Sequence, residues 1–205
     1  MDIFDYDLSV AKEIASTSEL KKGEQKRYVK TNGFYKLKEE SLANLDYSAS
    51  SIKIENTRMI HDFVKDHLQY RTQFGKDLGA QYALDAKNGD CTEYAELMIS
   101  LCRYNNYPSR SVEGFTVENN DSSPLGEIFK STDHTWVEIF FNEYGWVPFD
   151  PTHSDGSSRT NFDNLDNKYI YMSFSKPEER FTWMWWGDGK LIVNRDRKIN
   201  IIGTD

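Results

Sequence analysis

The chain has 205 residues, 38% hydrophobic and 28% charged, with a formal net charge of -8. That length suits one domain with a real core, and 12 Tyr, 12 Phe and 5 Trp argue for an aromatic-rich core or groove rather than disorder. The acidic balance repels a phosphate backbone, with dense Lys/Arg only at 21–30, so nucleic acid is not an expected partner; no run of about 18 apolar residues offers a membrane span.

The start, MDIFDYDLSVAKEIA, has acids where a secretory leader needs a basic region and an apolar stretch. As written, the chain reads as cytoplasmic, unless a leader has been trimmed. Residues 1–50 are polar. Within them DLSVAKEIAS has the make-up of a short helix, and the charged run at 21–27 reads as a solvated face. This part reads as an N-terminal arm or small subdomain, with the functional domain at 51–205. From Asn56 the pattern sharpens: Met59, Ile60, Phe63, Val64, His67 and Leu68 recur at the spacing of one helix face. A mixed loop and short helix follow to Gly89.

A second helix opens at Cys91. Asp90 can cap it, Glu93 completes an acidic capping box, and Ala95, Met98, Leu101 and Cys102 form its apolar stripe. It ends near Asn105, before Pro108. The period then changes to two. Residues 110–118 read as a strand and 119–133 as a long loop. Residues 134–141 and 146–150 read as a β-hairpin turning at NEYG. After a Gly/Ser-rich loop come an apolar run at 168–175 and a last hairpin at 181–194. Helices first and an antiparallel sheet after them give an α+β class.

Three residues carry chemistry. Cys91 sits at a helix start, where unpaired N–H groups and the positive end of the dipole favour a negative sulfur. A small buried core cysteine is the commoner fate of a lone Cys. The other cysteine, Cys102, is 11 residues on, ~16 Å along a helix axis, too far for a disulfide. His134 opens one hairpin strand and Asp150 closes the next. With the turn at Glu143–Tyr144, Asp150 falls opposite Trp136 or Val137. If the partner is Trp136, His134 and Asp150 share a sheet face. Taken singly, His134 could be a satisfied strand histidine and Asp150 a turn former before Pro151. Together with Cys91 they match a nucleophile, a base and the group that orients it.

The segments GDCTEYAELMISLCRYNNYPSRSVEGF (89–115) and DHTWVEIFFNEYGWVPFDPT (133–152) resemble the transglutaminase-like superfamily, cysteine enzymes related to papain and including bacterial cysteine-protease-type members. The resemblance covers about 55–152, with His-Thr-Trp and Asn-Tyr-Pro departing from the usual His-Ala-Trp and Gly-Ile-Pro. It implies a papain-like core, with a helix bearing the nucleophile packed on an antiparallel sheet. It implies Cys91 as nucleophile, His134 as base and then acid, and Asp150 as orienter, with Trp136, Trp146, Pro108, Arg110 and Gly114 as structural motif residues. The expected activity is acyl transfer on protein or peptide amides through a thioester, with hydrolysis (protease or amidase) favoured over amine transfer (transglutaminase). The alternatives are a peptide-N-glycan amidase and a non-catalytic module that binds peptides in the same groove. Besides the Cys91 N–H, an oxyanion donor upstream is required; Gln81, Tyr82, Gln73 and Tyr70 are candidates, and Trp136 is a groove candidate.

No cofactor is expected. The histidines at 61, 67, 134 and 153 lack metal spacing, CxxC and HExxH are missing, and no calcium loop or P-loop is present. Phe181, Trp183, Trp185 and Trp186 alternate along the last hairpin, as core packing or as a groove wall. The oligomeric state is left open.

Overall fold

The computed structural model describes residues 19–43, 45, 47–72, 77–117, 128–129, 131–152, 162, 165, 169–174 and 199–200. The expected helix in 7–16 and the aromatic hairpin at 181–194 lie outside them. Helices α1 (Lys22–Tyr28) and α2 (Glu39–Leu42) flank a 3-10 turn at Gly33–Tyr35. Then come α3 (Lys53–His67), strand β1 (Gln69–Tyr70), α4 (Gly79–Ala86), β2 (Asn88–Gly89) and α5 (Cys91–Tyr104). Strands β3 (Ser109–Val117), β4 (Ile128–Phe129), β5 (Ser131–Phe141), β6 (Gly145–Phe149), β7 (Tyr169–Phe174) and β8 (Ile199–Asn200) follow. The α+β expectation holds: helices precede a four-stranded antiparallel sheet in the order β6-β5-β3-β7.

The centre is α5. Residues Glu93 to Arg103 are all buried, so the helix is wrapped on every side, not along one stripe as the periodicity implied. Its apolar side chains meet Ile60 and Val64 of α3, Ala80 and Ala83 of α4, and Val137, Ile139, Phe141, Val147 and Phe149 of the hairpin. Tyr35 and Leu37, from the segment expected to be an arm or subdomain, are buried in this same core.

Helix α3 turns most of the expected face inward, with Leu68 buried and Phe63 packed on the core, but the buried face is broader and shifted. Ile60 and Val64 are buried, but so are Asn56, Thr57 and His61, while Met59 is exposed. Buried polar groups are tolerated when partnered. Asn56 Oδ1 accepts the Ser50 N–H, and its amide donates to Ser50 O and to the Tyr107 hydroxyl.

Strand β5 begins at Ser131, three residues earlier than expected, so the end of the supposed loop pairs with β3 as Thr116↔Thr132 and Phe115↔Asp133. The hairpin turns at Gly145, whose φ of +75° suits a glycine. Along β5, Val137, Ile139 and Phe141 enter the main core, while Trp136 joins a second cluster with Val112 and Leu165. The period of two thus serves two cores.

Candidate active site

Cys91 is the first residue of α5, half-buried. Asp90 Oδ1 accepts the Thr92 N–H at 3.0 Å, and Glu93 Oε2 accepts the Asp90 N–H at 3.1 Å, closing the capping box read from the sequence. Glu93 does one thing more: its Oε1 accepts the Leu78 N–H at 3.1 Å, tying the first turn of α5 to the start of α4. Burial raises the Glu93 carboxyl from its ordinary value, against the pull of those two N–H donors. This inward fold of Glu93 explains Gly89. A Cβ there would lie 2.3 Å from Glu93 Cβ.

The short parallel pair β1–β2 sets Tyr70 beside Gly89, and the Arg71 N–H donates to Gly89 O at 2.8 Å. Tyr70 is 58% exposed. Partial burial, then the negative charges of Cys91 and Asp90, raise its phenol above the ordinary value, against a hydrogen bond with Thr72.

On the sheet side, Val137 pairs with Phe149, so the next pair in register is Trp136 with Asp150. That is the alternative which sets His134 and Asp150 on one face. His134 Nε2 donates to Asp150 Oδ2 at 2.7 Å. A carboxylate oxygen can only accept, so Nδ1 is the ring nitrogen left for sulfur. His134 is hydrogen-bonded to Cys91. Burial works against its imidazolium, but the charge and hydrogen bond of Asp150 and those of Cys91 outweigh it, and His134 is pushed up to about 10.

Asp150 is fixed at three atoms. Its Oδ1 accepts the Thr152 N–H at 2.9 Å, its Oδ2 accepts both His134 and the Tyr169 hydroxyl, and its carbonyl accepts from His61 Nε2 at 3.2 Å. His61 is buried, with its ring edge-on to Phe162. Trp136 is only 3% exposed. It stacks on His134 at 6.1 Å between centroids and meets the Tyr169 ring edge-on at 5.4 Å. Trp136 therefore backs the imidazole and offers no open groove wall.

The other upstream candidates face elsewhere. Gln81 accepts the Lys38 N–H and donates to Ser41 and Asp85, which turns its amide to the N-terminal segment. The Tyr82 hydroxyl donates to Asn88. Gln73 lies outside the described residues. Sequence reasoning missed His61, Tyr169 and the Leu78 tether of Glu93. His61 falls outside the apolar positions that the helix spacing picked out, so periodicity gave no signal for it. For Tyr169 there was none either, since it sits in an apolar run with no spacing to Asp150.

A helix that opens on Cys91, packed on an antiparallel sheet that carries His134 and Asp150, has the papain-like class of fold. Residues 35–151 match the family model described as Transglutaminase-like superfamily. This chain belongs to that superfamily. It is 33% identical over 82 residues to the uncharacterized protein YebA of Bacillus subtilis, covering 38% of this chain and 11% of that protein. It is 30% identical over 88 residues to a protein-glutamine gamma-glutamyltransferase of Pseudomonas aeruginosa, covering 42% of this chain and 13% of that protein. The chain thus spans about an eighth or less of the length of these relatives. The crystal structure of the periplasmic domain of TgpA from Pseudomonas aeruginosa superposes with a TM-score of 0.50 at 20% identity, over 67% of this chain and 49% of that one, a likeness of fold.

Proposed function

We propose that this chain is a cysteine-dependent acyl transferase acting on the amides of proteins or peptides through a thioester at Cys91. The observation that carries this is His134 set between sulfur and carboxylate, Nε2 on Asp150 and Nδ1 left for Cys91. In this reading the Cys91 sulfur is the nucleophile, with His134 held beside it as imidazolium. The sulfur attacks the amide carbon. The carbonyl oxygen becomes an oxyanion, received by the Cys91 N–H, a first-turn donor with no intrahelical acceptor. Tyr70, beside the nucleophile, is the second donor in this reading, ahead of Gln81 and Tyr82. The C–N bond breaks as His134 gives its proton to the leaving amine or ammonia. Water then gives a proton back to His134 and attacks the thioester, and a carboxylic acid and the thiolate leave. Asp150 keeps the imidazole oriented throughout and stays ionised.

Hydrolysis is the favoured outcome, because water is always present as acceptor. The similarity to a protein named as a glutamyltransferase supports a second reading, in which an amine takes the place of water. One experiment separates them. A glutamine-bearing peptide is incubated in 18O-labelled water with a dansylated primary amine, and ammonia, label and dansyl product are counted. Hydrolysis gives labelled glutamate or cleaved peptide; transfer gives the dansyl conjugate. Both require loss of product in Cys91→Ala. The acyl-transfer reading fails if Cys91 alkylates with iodoacetamide no faster than a thiol in an unstructured peptide and His134→Ala leaves that rate unchanged.

A further inference from the structure

The family match ends at residue 151, yet a side chain 18 positions beyond it reaches into the site. Tyr169 opens β7, pairing with Thr116 of β3. Its hydroxyl donates to Asp150 Oδ2, the same oxygen that receives His134. Its ring lies 5.7 Å from the His134 ring and edge-on to Trp136 at 5.4 Å. We infer that Tyr169 is a positioning residue for the Cys91–His134–Asp150 cluster, acting on the carboxylate through its hydroxyl and on the imidazole through its ring.

The physical argument has two parts. A carboxylate held at one oxygen can rotate about Cβ–Cγ. Asp150 is held at both, by the Thr152 N–H on Oδ1 and by the Tyr169 hydroxyl on Oδ2, so its lone pairs stay directed at His134. An imidazole that flips by half a turn exchanges Nδ1 and Nε2 and takes its free nitrogen away from sulfur. His134 is flanked by two aromatic rings, Trp136 at 6.1 Å and Tyr169 at 5.7 Å, and a flip must displace one of them. Charged acceptors also make the stronger hydrogen bonds. The phenol therefore supplies Asp150 with a second donor in a site where the carboxylate is 1% exposed and little water competes.

This inference rests on the acyl-transfer reading, and the test keeps the two apart. The full chain is prepared as wild type, Tyr169→Phe and His134→Ala. Three quantities are read: the thermal midpoint, the iodoacetamide alkylation rate of Cys91 at pH 7 by peptide mass spectrometry, and the low-field imidazole N–H resonance of His134. Tyr169→Phe keeps the ring and loses only the hydroxyl. The expected result is an intact fold, a Cys91 rate lower by about tenfold, the low end for one hydrogen bond to a charged group, and a shifted or broadened His134 resonance. A purely packing role leaves the rate and the resonance at their wild-type values, and that result overturns the inference. If His134→Ala is slow while Tyr169→Phe is unchanged, only the role of Tyr169 falls. If His134→Ala also matches wild type, the reading beneath it falls as well. Should Tyr169→Phe fold poorly, 3-fluorotyrosine at position 169 keeps size and shape while making the phenol a stronger donor. The His134 resonance then moves, since Tyr169 draws more charge from Oδ2; an unmoved resonance overturns the inference equally.

Discussion

His134 is a residue under two opposed forces. Burial favours its neutral form, and Asp150 with Cys91 favours the cation strongly enough to push it up to about 10. The ordinary imidazole value is 6.5. A raised folded value means that the stabilisation from this cation is fully present below pH 6.5 and disappears as pH rises through about 10. Lys53 acts in the other direction. Burial pushes it down to about 8, which makes stability rise with pH between about 8 and its ordinary 10.5. The expected outcome is therefore read as a difference: denaturant unfolding of wild type and His134→Gln, with the stability gap shrinking between pH 6.5 and 10. A gap that is constant over that window refutes the cation. Gly89 gives a second test. Its missing Cβ makes room for Glu93 at 2.3 Å, and Gly89→Ala is expected to destabilise by about 2 kcal/mol, as overpacking against a capped turn does. The midpoint in urea measures it.

At the scale of the element, α5 shows what a sequence carries openly and what it hides. The helix start was legible because capping is local: Asp90, Cys91 and Glu93 lie within four positions, and hydrogen-bond rules fix their roles. Hairpin register was legible to within one residue, since the turn length left Asp150 opposite Trp136 or Val137, and the pairing of Val137 with Phe149 decides it. The burial of Glu93 and Arg103 was not. Each is satisfied by a partner distant in sequence or beyond the helix: Glu93 by the Leu78 N–H, and Arg103 by the carbonyls of Ser109 and Lys30 with its guanidinium over the Tyr35 ring. Periodicity scores such residues as solvent-facing. The same blindness hid His61 and Tyr169, which reach Asp150 from 89 and 19 positions away. The cap itself is testable. Asp90→Ala leaves the Thr92 N–H without its acceptor and is expected to cost about 1 kcal/mol of stability. Circular dichroism melts would show it, and a melt unchanged from wild type would contradict the capping role.

At the scale of the whole molecule, the question is how far the core extends toward the N terminus. The polar composition of 1–50 set that segment apart in the sequence, because few apolar residues in a window predict little burial. Yet Tyr35 and Leu37 are 4% and 2% exposed within the main core, and the Tyr104 hydroxyl donates to Leu37 O at 3.0 Å. Two well-placed side chains can join a core that the surrounding window does not announce. The family match also begins at residue 35. A core shared between 35–37 and α5 makes one cooperative unit of them. Leu37→Ala is then expected to remove about 3 kcal/mol, the usual loss for a buried leucine. That lowers the thermal midpoint by roughly 9 °C for a chain of this length, with Cys91 losing its alkylation advantage at the same temperature as the fold melts. A separate subdomain behaves differently. It melts in an earlier transition of its own, and the reactivity of Cys91 persists past it. A calorimetric trace recorded beside Cys91 alkylation across the same temperatures distinguishes the two, and a second, earlier peak would show that α5 does not depend on Leu37.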